Sequence, residues 1–507
     1  MHTMNPCTLG ARAVLAAAAL LLSGLAAPLC AQDNRPTAFT NARILPMKGA
    51  AIERGTLVVK NGKIVAVGAD VAAPAGARIV DCEGGTLMPG LVSAHSRAGF
   101  AQAASVNPFE SAMRRGGRRG GQTPPPPDAG GRGAQNTAAT KVVERLDPKQ
   151  EIFAEMLRAG VTTLALTPSG DAFPGFGAIL KPDGKTLDAL TLDDDAFVFV
   201  SMQRDSRVKK TLKDGFDAAK KAVDARKAPK EAPKPEAKEG EQKPAEPKPG
   251  EQKAPEQGKP QEAPKPEQPK PQEQPKPDQP KPQDPPKPED KKPEDKKPEG
   301  DKAQQPAQAQ PKPEEKKDPN VEVLADLLEG KRKAIVQIGS AADLLHWTHA
   351  VGKELTFPRA ICAESFDMQS GSFDLVVEEL KAMKSIVLVP PSLNTMPRAR
   401  FMTNPCKTLH DAGIEVGFVL GDAPSRVRIA FVRLMELVRH GFPREAALAG
   451  VTVVPSKALG VDASVGTLET GKKANLLLFS GDPLDPTSEL RSVWLEGQKV
   501  QDDSAAR

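Results

Sequence analysis

The chain has 507 residues with a hydrophobic content of 39%, which is enough to bury one large core and a small second domain. Its 70 basic and 65 acidic residues leave a net charge of only +5, which excludes a strongly basic nucleic-acid-binding protein. Half of the 50 prolines lie in one segment, residues 227–320.

Residues 1–31 are typical of an export signal. Arg12 supplies a positive charge, residues 13–27 form an apolar run, and the small residue Ala31 precedes a polar one. The run is shorter than the roughly 20 apolar residues that a membrane-spanning helix needs. We therefore expect cleavage after Ala31 and an exported protein, periplasmic or secreted, with no transmembrane segment once the signal is removed.

The cysteines add one alternative and one constraint. Cys30 makes a lipoprotein signal the competing interpretation, which Leu29 disfavours because a small residue usually occupies its position. The mature chain keeps Cys82, Cys362 and Cys406, which are too few for a disulfide framework. We expect three buried thiols, with one disulfide and one free thiol as the alternative.

Short β-forming segments lie near both ends of the mature chain. Residues 39–45 and 55–68 alternate apolar and polar positions, and Asn61-Gly62 is a strong hairpin signal because a type I′ turn needs positive φ at both central residues. Residues 466–479 and 493–500 repeat the pattern. We expect the two ends to complete one small β-sandwich.

Between these ends, strand-like and helix-like segments alternate, which predicts a (β/α)8 TIM-like barrel. Catalytic groups in such barrels lie at the C-terminal ends of the strands. Helix-like patterns cover residues 149–159 and 425–440. The strand candidates are residues 161–167, 196–202, 334–338, 359–363, 385–389 and 413–420.

Residues 227–320 interrupt this pattern with Lys, Pro, Glu and Gln. The segment has no side chains that build a core, so we expect it to be disordered with polyproline II character. One hypothesis is that it contacts a cell-envelope polymer. The alternative is an expanded surface loop without a partner, since long insertions add little loop-closure entropy.

A second irregular stretch, residues 114–127, follows the first barrel strand and combines Arg-Gly repeats with four consecutive prolines. Its position predicts a mobile basic lid or a plain linker near the barrel mouth. Arg-Gly repeats also occur in RNA-binding tails, but export of the chain argues against a nucleic-acid partner.

Together these patterns predict an α/β protein with a TIM-like barrel, a small β-sandwich built from both chain ends, and a long disordered insertion. The expected divisions are a signal peptide at 1–31, β-sandwich at 32–88, barrel at 89–226, insertion at 227–320, barrel at 321–454 and β-sandwich at 455–507.

Several short motifs lie along the chain in a definite order and spacing. They are Asn-Gly-Lys-Ile at 61–64 with Gly-Gly-Thr-Leu-Met-Pro-Gly at 84–90, Ala-Gly-Val-Thr-Thr at 159–163, the segments 441–448 and 455–460, and residues 465–475. Together they resemble the amidohydrolase superfamily, in particular imidazolonepropionase-like periplasmic members. The resemblance covers nearly all of the mature chain outside the insertion.

The resemblance implies divalent metals held at the strand ends by a His-x-His pair, further histidines and an aspartate. In this chain the first strand keeps His95, but Arg97 stands where the second histidine is expected. A guanidinium has no lone pair to give a metal and is always positively charged. Gln337 stands for the fifth-strand histidine and Glu364 for the sixth, and the fourth strand offers no lysine.

Asp422, at the end of the last barrel strand, matches the family's catalytic aspartate and is the strongest candidate for a retained functional residue. A buried carboxylate needs a partner, so we expect Arg97 to fill the vacated metal site and to form an ion pair with Asp422. His346, His349, His410 and His440 lie in or after helices, so we expect packing or surface roles for them.

We therefore expect a degenerate amidohydrolase-family protein, possessing neither the usual hydrolase activity on non-peptide C–N bonds nor a cofactor. One competing hypothesis is an active enzyme with one zinc or other divalent metal held by His95, Glu364 and Asp422. Another is a non-catalytic scaffold that binds an anionic small molecule at Arg97 or pairs with an active paralogue or a second copy.

Overall fold

The computed structural model describes residues 35–100, 135–227, 317–352, 356–363, 372–395 and 401–500. These residues all fall in one structural unit. The predicted export signal, the Arg-Gly stretch and all but the ends of the predicted insertion lie outside them. No helix in the described part of the chain is both long enough and apolar enough to cross a membrane.

The strands divide between two main sheets and one short hairpin. In chain order they are β1 (Thr37–Ile44), β2 (Ile52–Lys60), β3 (Lys63–Gly68), β4 (Arg78–Asp81), β5 (Thr86–Pro89), β6 (Leu91–Ser96), β7 (Gln135–Asn136), β8 (Val161–Leu166), β9 (Ala172–Leu180), β10 (Thr191–Met202), β11 (Ala334–Ile338), β12 (Arg359–Cys362), β13 (Ile386–Val389), β14 (Asn394–Thr395), β15 (Met402–Thr403), β16 (Val416–Phe418), β17 (Leu476–Phe479), β18 (Leu490–Leu495) and β19 (Gln498–Lys499).

The helices mostly connect the strands of the barrel. They are α1 (Ile152–Arg158), α2 (Leu187–Leu190), α3 (Ser206–Lys227), α4 (Pro319–Leu328), α5 (Ala341–Val351), α6 (Val377–Met383), α7 (Pro405–Asp411), α8 (Pro424–Arg439), α9 (Arg444–Ala449) and α10 (Val453–Leu459). Short 3₁₀ turns cover Val142–Arg145 and Phe373–Leu375.

The smaller β-domain combines both chain ends, as the sequence predicted. Its strand order is β19-β18-β17-β5-β1-β2-β3, with β4 beside β1. Phe39 from the first strand and Trp494 from the other end meet edge to face, with ring centroids 4.8 Å apart in a separate apolar core. The predicted type I′ turn is confirmed, since Asn61 and Gly62 have φ values of 51° and 73°.

The larger sheet is the predicted TIM-like barrel, with strand order β6-β8-β9-β10-β11-β12-β13-β16. Neighbouring strands are parallel except β9, which is antiparallel to both β8 and β10. The sequence analysis missed this strand. Only residues 167–171 separate β8 from β9, which is too short for the crossover that a parallel pair requires.

The barrel is closed indirectly at the seam between β6 and β16. Val92 of β6 donates its backbone N–H to the Val451 carbonyl at 3.0 Å, and Phe418 of β16 donates to the Gly450 carbonyl at 2.7 Å. The two adjacent residues between α9 and α10 therefore satisfy backbone groups on both strands. This arrangement fixes the strand ends that carry His95 and Asp422.

An arginine joins the helices on either side of the insertion. The Arg226 guanidinium lies 2.8 Å from Asp326 and 2.7 Å from Glu329, and it also contacts Glu322. These acceptors follow the insertion, whereas Arg226 lies near the end of α3. Structured residues extend slightly into the range 227–320, because α3 ends at its first residue and α4 begins before its last.

We predict that replacing residues 229–315 with a short Gly/Ser linker changes the melting temperature by less than about 2 °C, since the helix ends are already held together. The measurement is calorimetric unfolding of the mature protein. Arg226→Ala in the shortened chain should lower the melting temperature further, because three carboxylates lose their shared cation. A large loss caused by the deletion alone would contradict this prediction.

A carboxylate also links the two chain ends. Glu469 lies 2.7 Å from Lys48 Nζ and 3.0 Å from Lys472 Nζ, and it accepts a hydrogen bond from the Thr467 hydroxyl at 2.8 Å. These hydrogen bonds, with that from Lys48 the largest contribution, lower the pKa of Glu469 to about 2. The ionised form is therefore bound more favourably in the folded protein than in the unfolded chain.

A lowered pKa stabilises the fold above the ordinary value of 4.5, and this stabilisation is lost as the pH falls towards about 2. We predict that Glu469→Gln lowers the free energy of unfolding more at pH 6 than at pH 3.5. Urea unfolding at both pH values measures the difference. Glu151→Gln, at an exposed position, is the control. An equal loss at the two pH values would contradict the prediction.

Candidate functional site at the barrel mouth

The site begins at the C-terminal end of β6, whose residues are all buried. His95 is 6% exposed, and its ring stacks on Phe199 of β10 with centroids 6.0 Å apart. His95 Nδ1 lies 3.1 Å from Thr167 Oγ1 at the end of β8. Phe199 on β10 and Thr167 after β8 thus fix the orientation of the imidazole.

The contact with Thr167 also bears on the imidazole's proton. Thr167 Oγ1 lies 3.1 Å from the Ser96 carbonyl, and a hydroxyl has only one hydrogen to donate. When Thr167 donates to that carbonyl, it accepts from His95 Nδ1–H. The Nε2 atom then carries the lone pair. Hydrogen bonds of this kind orient metal-binding histidines.

Asp422 lies across the seam from the end of β6. Its Oδ1 accepts a hydrogen bond from Ser96 Oγ at 2.8 Å and another from the Arg97 backbone N–H at 2.8 Å. Ser96 Oγ in turn accepts from the Ala98 N–H at 3.1 Å. The Asp422 carboxylate thus connects the ends of β6 and β16, which do not pair directly in the sheet.

The predicted ion pair between Arg97 and Asp422 is wrong. The contact is made by the Arg97 backbone, and the guanidinium instead places Nη2 3.5 Å from Gln337 Oε1 on β11. The physical reason is exposure: Asp422 is a solvent-exposed residue, so its carboxylate is hydrated and needs no buried cation.

The Arg97 guanidinium lies in the mouth and is partly enclosed. Its Nε is buried and has no hydrogen-bond acceptor among the residues that the structure describes. Gln337 is 4% exposed, and Cys362 next to it in the sheet register is completely buried. Burial raises the pKa of the Cys362 thiol to about 12, against the opposing charge of Arg97. This thiol therefore stays neutral.

Comparison with known proteins agrees with this architecture. A model of the Amidohydrolase family matches residues 364–500. An amidohydrolase from Thermotoga maritima MSB8 superposes with a TM-score of 0.60 at 19% identity, covering 92% of this chain and 99% of that one. The family match over residues 364–500 and the shared fold support the amidohydrolase superfamily for this chain.

Two curated amidohydrolase-fold relatives match shorter segments. The chain is 34% identical over 136 residues to the imidazolonepropionase of Klebsiella pneumoniae (strain 342), covering 27% of this chain and 31% of that protein. It is 54% identical over 54 residues to the imidazolonepropionase of Serratia proteamaculans (strain 568), covering 11% and 12%. The matches thus span about a third or less of these relatives.

The described residues at the barrel mouth do not provide the set of ligands that a metal-dependent amidohydrolase needs. They offer one imidazole and one aspartate, and a guanidinium occupies the position of the second imidazole. Glu364, the third ligand of the one-metal hypothesis, lies outside the described residues. In the described part of the chain, ligand atoms of three acidic, His or Cys side chains come together only at Asp193–195.

That acidic group is at the start of β10, and two of its members are neutralised. Asp194 accepts from Lys141 Nζ at 2.7 Å, and Asp195 lies 3.1 Å from Arg332. The cluster is therefore part of the barrel's ion pairing at the end opposite the mouth.

The remaining histidines contact groups elsewhere. His346 Nδ1 lies 3.3 Å from Lys209 Nζ, which joins α5 to α3. The rings of His410 and Phe442 lie 5.4 Å apart, and His440 Nδ1 lies 2.9 Å from the Glu436 carbonyl oxygen. His349 is in the last turn of α5.

Sequence reasoning missed the residues that support the site. Thr167, Ser96 and Phe199 were not selected, although each lies at or near the C-terminal end of a barrel strand. Position was the available signal for Thr167, because it directly follows a buried strand and faces the same barrel mouth as His95. Residue type was uninformative, since buried Thr and Ser commonly bond only to backbone.

We predict that Asp422→Ala lowers the free energy of unfolding by about 1–2 kcal/mol, because it removes two hydrogen bonds to a charged group at the seam. Asp422→Asn should be milder, since its amide oxygen still accepts. Arg97→Ala should cost under about 1 kcal/mol, because its backbone N–H remains. Urea unfolding measures all three. A loss of roughly 3–5 kcal/mol in Arg97→Ala would contradict this prediction and would indicate a buried ion pair with Asp422.

Proposed function

We propose that this chain is a non-catalytic binding member of the amidohydrolase superfamily that acts outside the cytoplasm and uses its barrel mouth without a divalent metal. The supporting observation is the Arg97 side chain, which follows the strand carrying His95 and extends to Gln337 at 3.5 Å. A permanent cation then lies where the family places a metal-binding imidazole.

The electrostatics explain why hydrolysis would be lost. In a metal-dependent hydrolase the metal makes a hydroxide from water near neutral pH and polarises the bond to be cleaved. A guanidinium supplies neither a ligand for a metal nor a basic site for a proton. Asp422 meanwhile holds Ser96 and the Arg97 backbone through Oδ1. Its role in this proposal is to fix the mouth.

One observation favours a second candidate, an active single-metal hydrolase using His95, Glu364 and Asp422. The contact between Thr167 Oγ1 and His95 Nδ1 orients the imidazole as hydrogen bonds orient metal-binding histidines. This support is also compatible with a structural role, because a buried imidazole needs a hydrogen-bond partner in either case. The charge of Arg97 favours the non-catalytic proposal.

We predict substoichiometric zinc, manganese and iron in the mature protein after gel filtration without chelator, measured by elemental analysis. Arg97→His should increase metal content, because it removes the cation and adds an imidazole. His95→Ala in that background should remove the gain. One equivalent of metal in the parent protein, lost in His95→Ala alone, would establish the single-metal enzyme instead.

A further inference from the structure

We infer that the barrel mouth is a binding site for a small organic monocarboxylate, held side-on by Nε and one Nη of Arg97. The inference rests on the proposed function, because it requires that no metal occupy this space. It names the ligand class that the proposal leaves open.

Arg97 has an unsatisfied hydrogen-bond donor. Arg97 Nε is buried and has no acceptor among the described residues, while Nη2 makes only a 3.5 Å contact with Gln337. A buried donor without an acceptor costs roughly 1–3 kcal/mol, and more when the group is charged. A ligand that brings an acceptor to Nε would remove this cost.

The geometry of a guanidinium also matches that of a carboxylate. Nε–H and an adjacent Nη–H of a guanidinium point in the same direction in one plane, and the two oxygens of a carboxylate match that spacing. Lysine would offer a point charge without this match. The nearby Cys362 thiol is neutral, so it does not compete as an anion for the guanidinium.

The charged residues at the mouth also limit the charge of the ligand. Arg204 follows β10 at the same end of the barrel, but it already pairs with Asp343 at 3.0 Å. Asp422 adds a negative charge bonded to the Arg97 backbone. Among the described residues, the Arg97 guanidinium beside the Asp422 carboxylate suits a single negative charge better than a phosphate or sulfate dianion.

The test uses the mature protein with benzoate as the probe, benzamide as the neutral analogue of equal shape, and sulfate and phosphate as dianions, all at constant ionic strength. Calorimetry and thermal unfolding measure binding. We expect benzoate to bind and to raise the melting temperature. Benzamide and the dianions should do neither.

Three variants locate the site. Arg97→Gln should weaken benzoate binding by at least about tenfold, and Arg97→Lys should weaken it less, because the charge remains but the paired donors are lost. Arg491→Gln, which removes a cation paired with Glu83 on the β-domain, should leave binding unchanged. Circular dichroism checks that each variant is folded.

The inference is overturned if benzoate binds Arg97→Gln and the parent equally, if benzamide matches benzoate, or if benzoate fails to bind a metal-free parent. In that last case the proposed function survives, because metal content is measured on the same sample. If the parent contains one metal per chain and chelator abolishes benzoate binding, the proposed function fails together with the inference.

Discussion

Closure of the barrel at the seam between β6 and β16 sets the positions of Ser96, Arg97 and Asp422 at the mouth. Backbone groups of the two strands bond to Gly450 and Val451, and the carboxylate of Asp422 holds the backbone of Arg97 and the hydroxyl of Ser96. A barrel cannot leave buried backbone groups unpaired without a large cost. Asp422 therefore has a structural role here that is independent of any metal.

The contacts of Asp422 stabilise the fold whether or not the protein catalyses a reaction. In the proposed non-catalytic protein, Asp422 would be retained because the seam needs an acceptor, whereas a second imidazole would be lost because only a metal needs it. His95 likewise contacts Thr167 and stacks on Phe199, so the orientation of its ring does not depend on which residue is at position 97. A retained catalytic-type residue is thus weak evidence for retained catalysis.

Ion pairs join parts of the chain that are distant in sequence. Arg226 connects helices on either side of residues 227–320, and Glu469 connects Lys48 to the C-terminal segment. The ion pairs of Arg226 hold the ends of α3 and α4 together across the insertion, and the entropy of closing a loop grows only slowly with its length. The barrel therefore accommodates an insertion whose composition cannot build a core.

The sequence by itself determined the β-domain from both chain ends, the turn at Asn61-Gly62 and the barrel, because these depend on local periodicity and turn chemistry. It also identified His95, Arg97 and Asp422, because the motifs around them resemble those of the amidohydrolase superfamily. Only the tertiary structure decided that β9 is antiparallel and that Arg97 extends towards Gln337. The direction of the Arg97 side chain depends on which groups surround it across the mouth. The hydrogen bond from the Arg97 backbone N–H to Asp422 could not be predicted, because any residue at this position could make it.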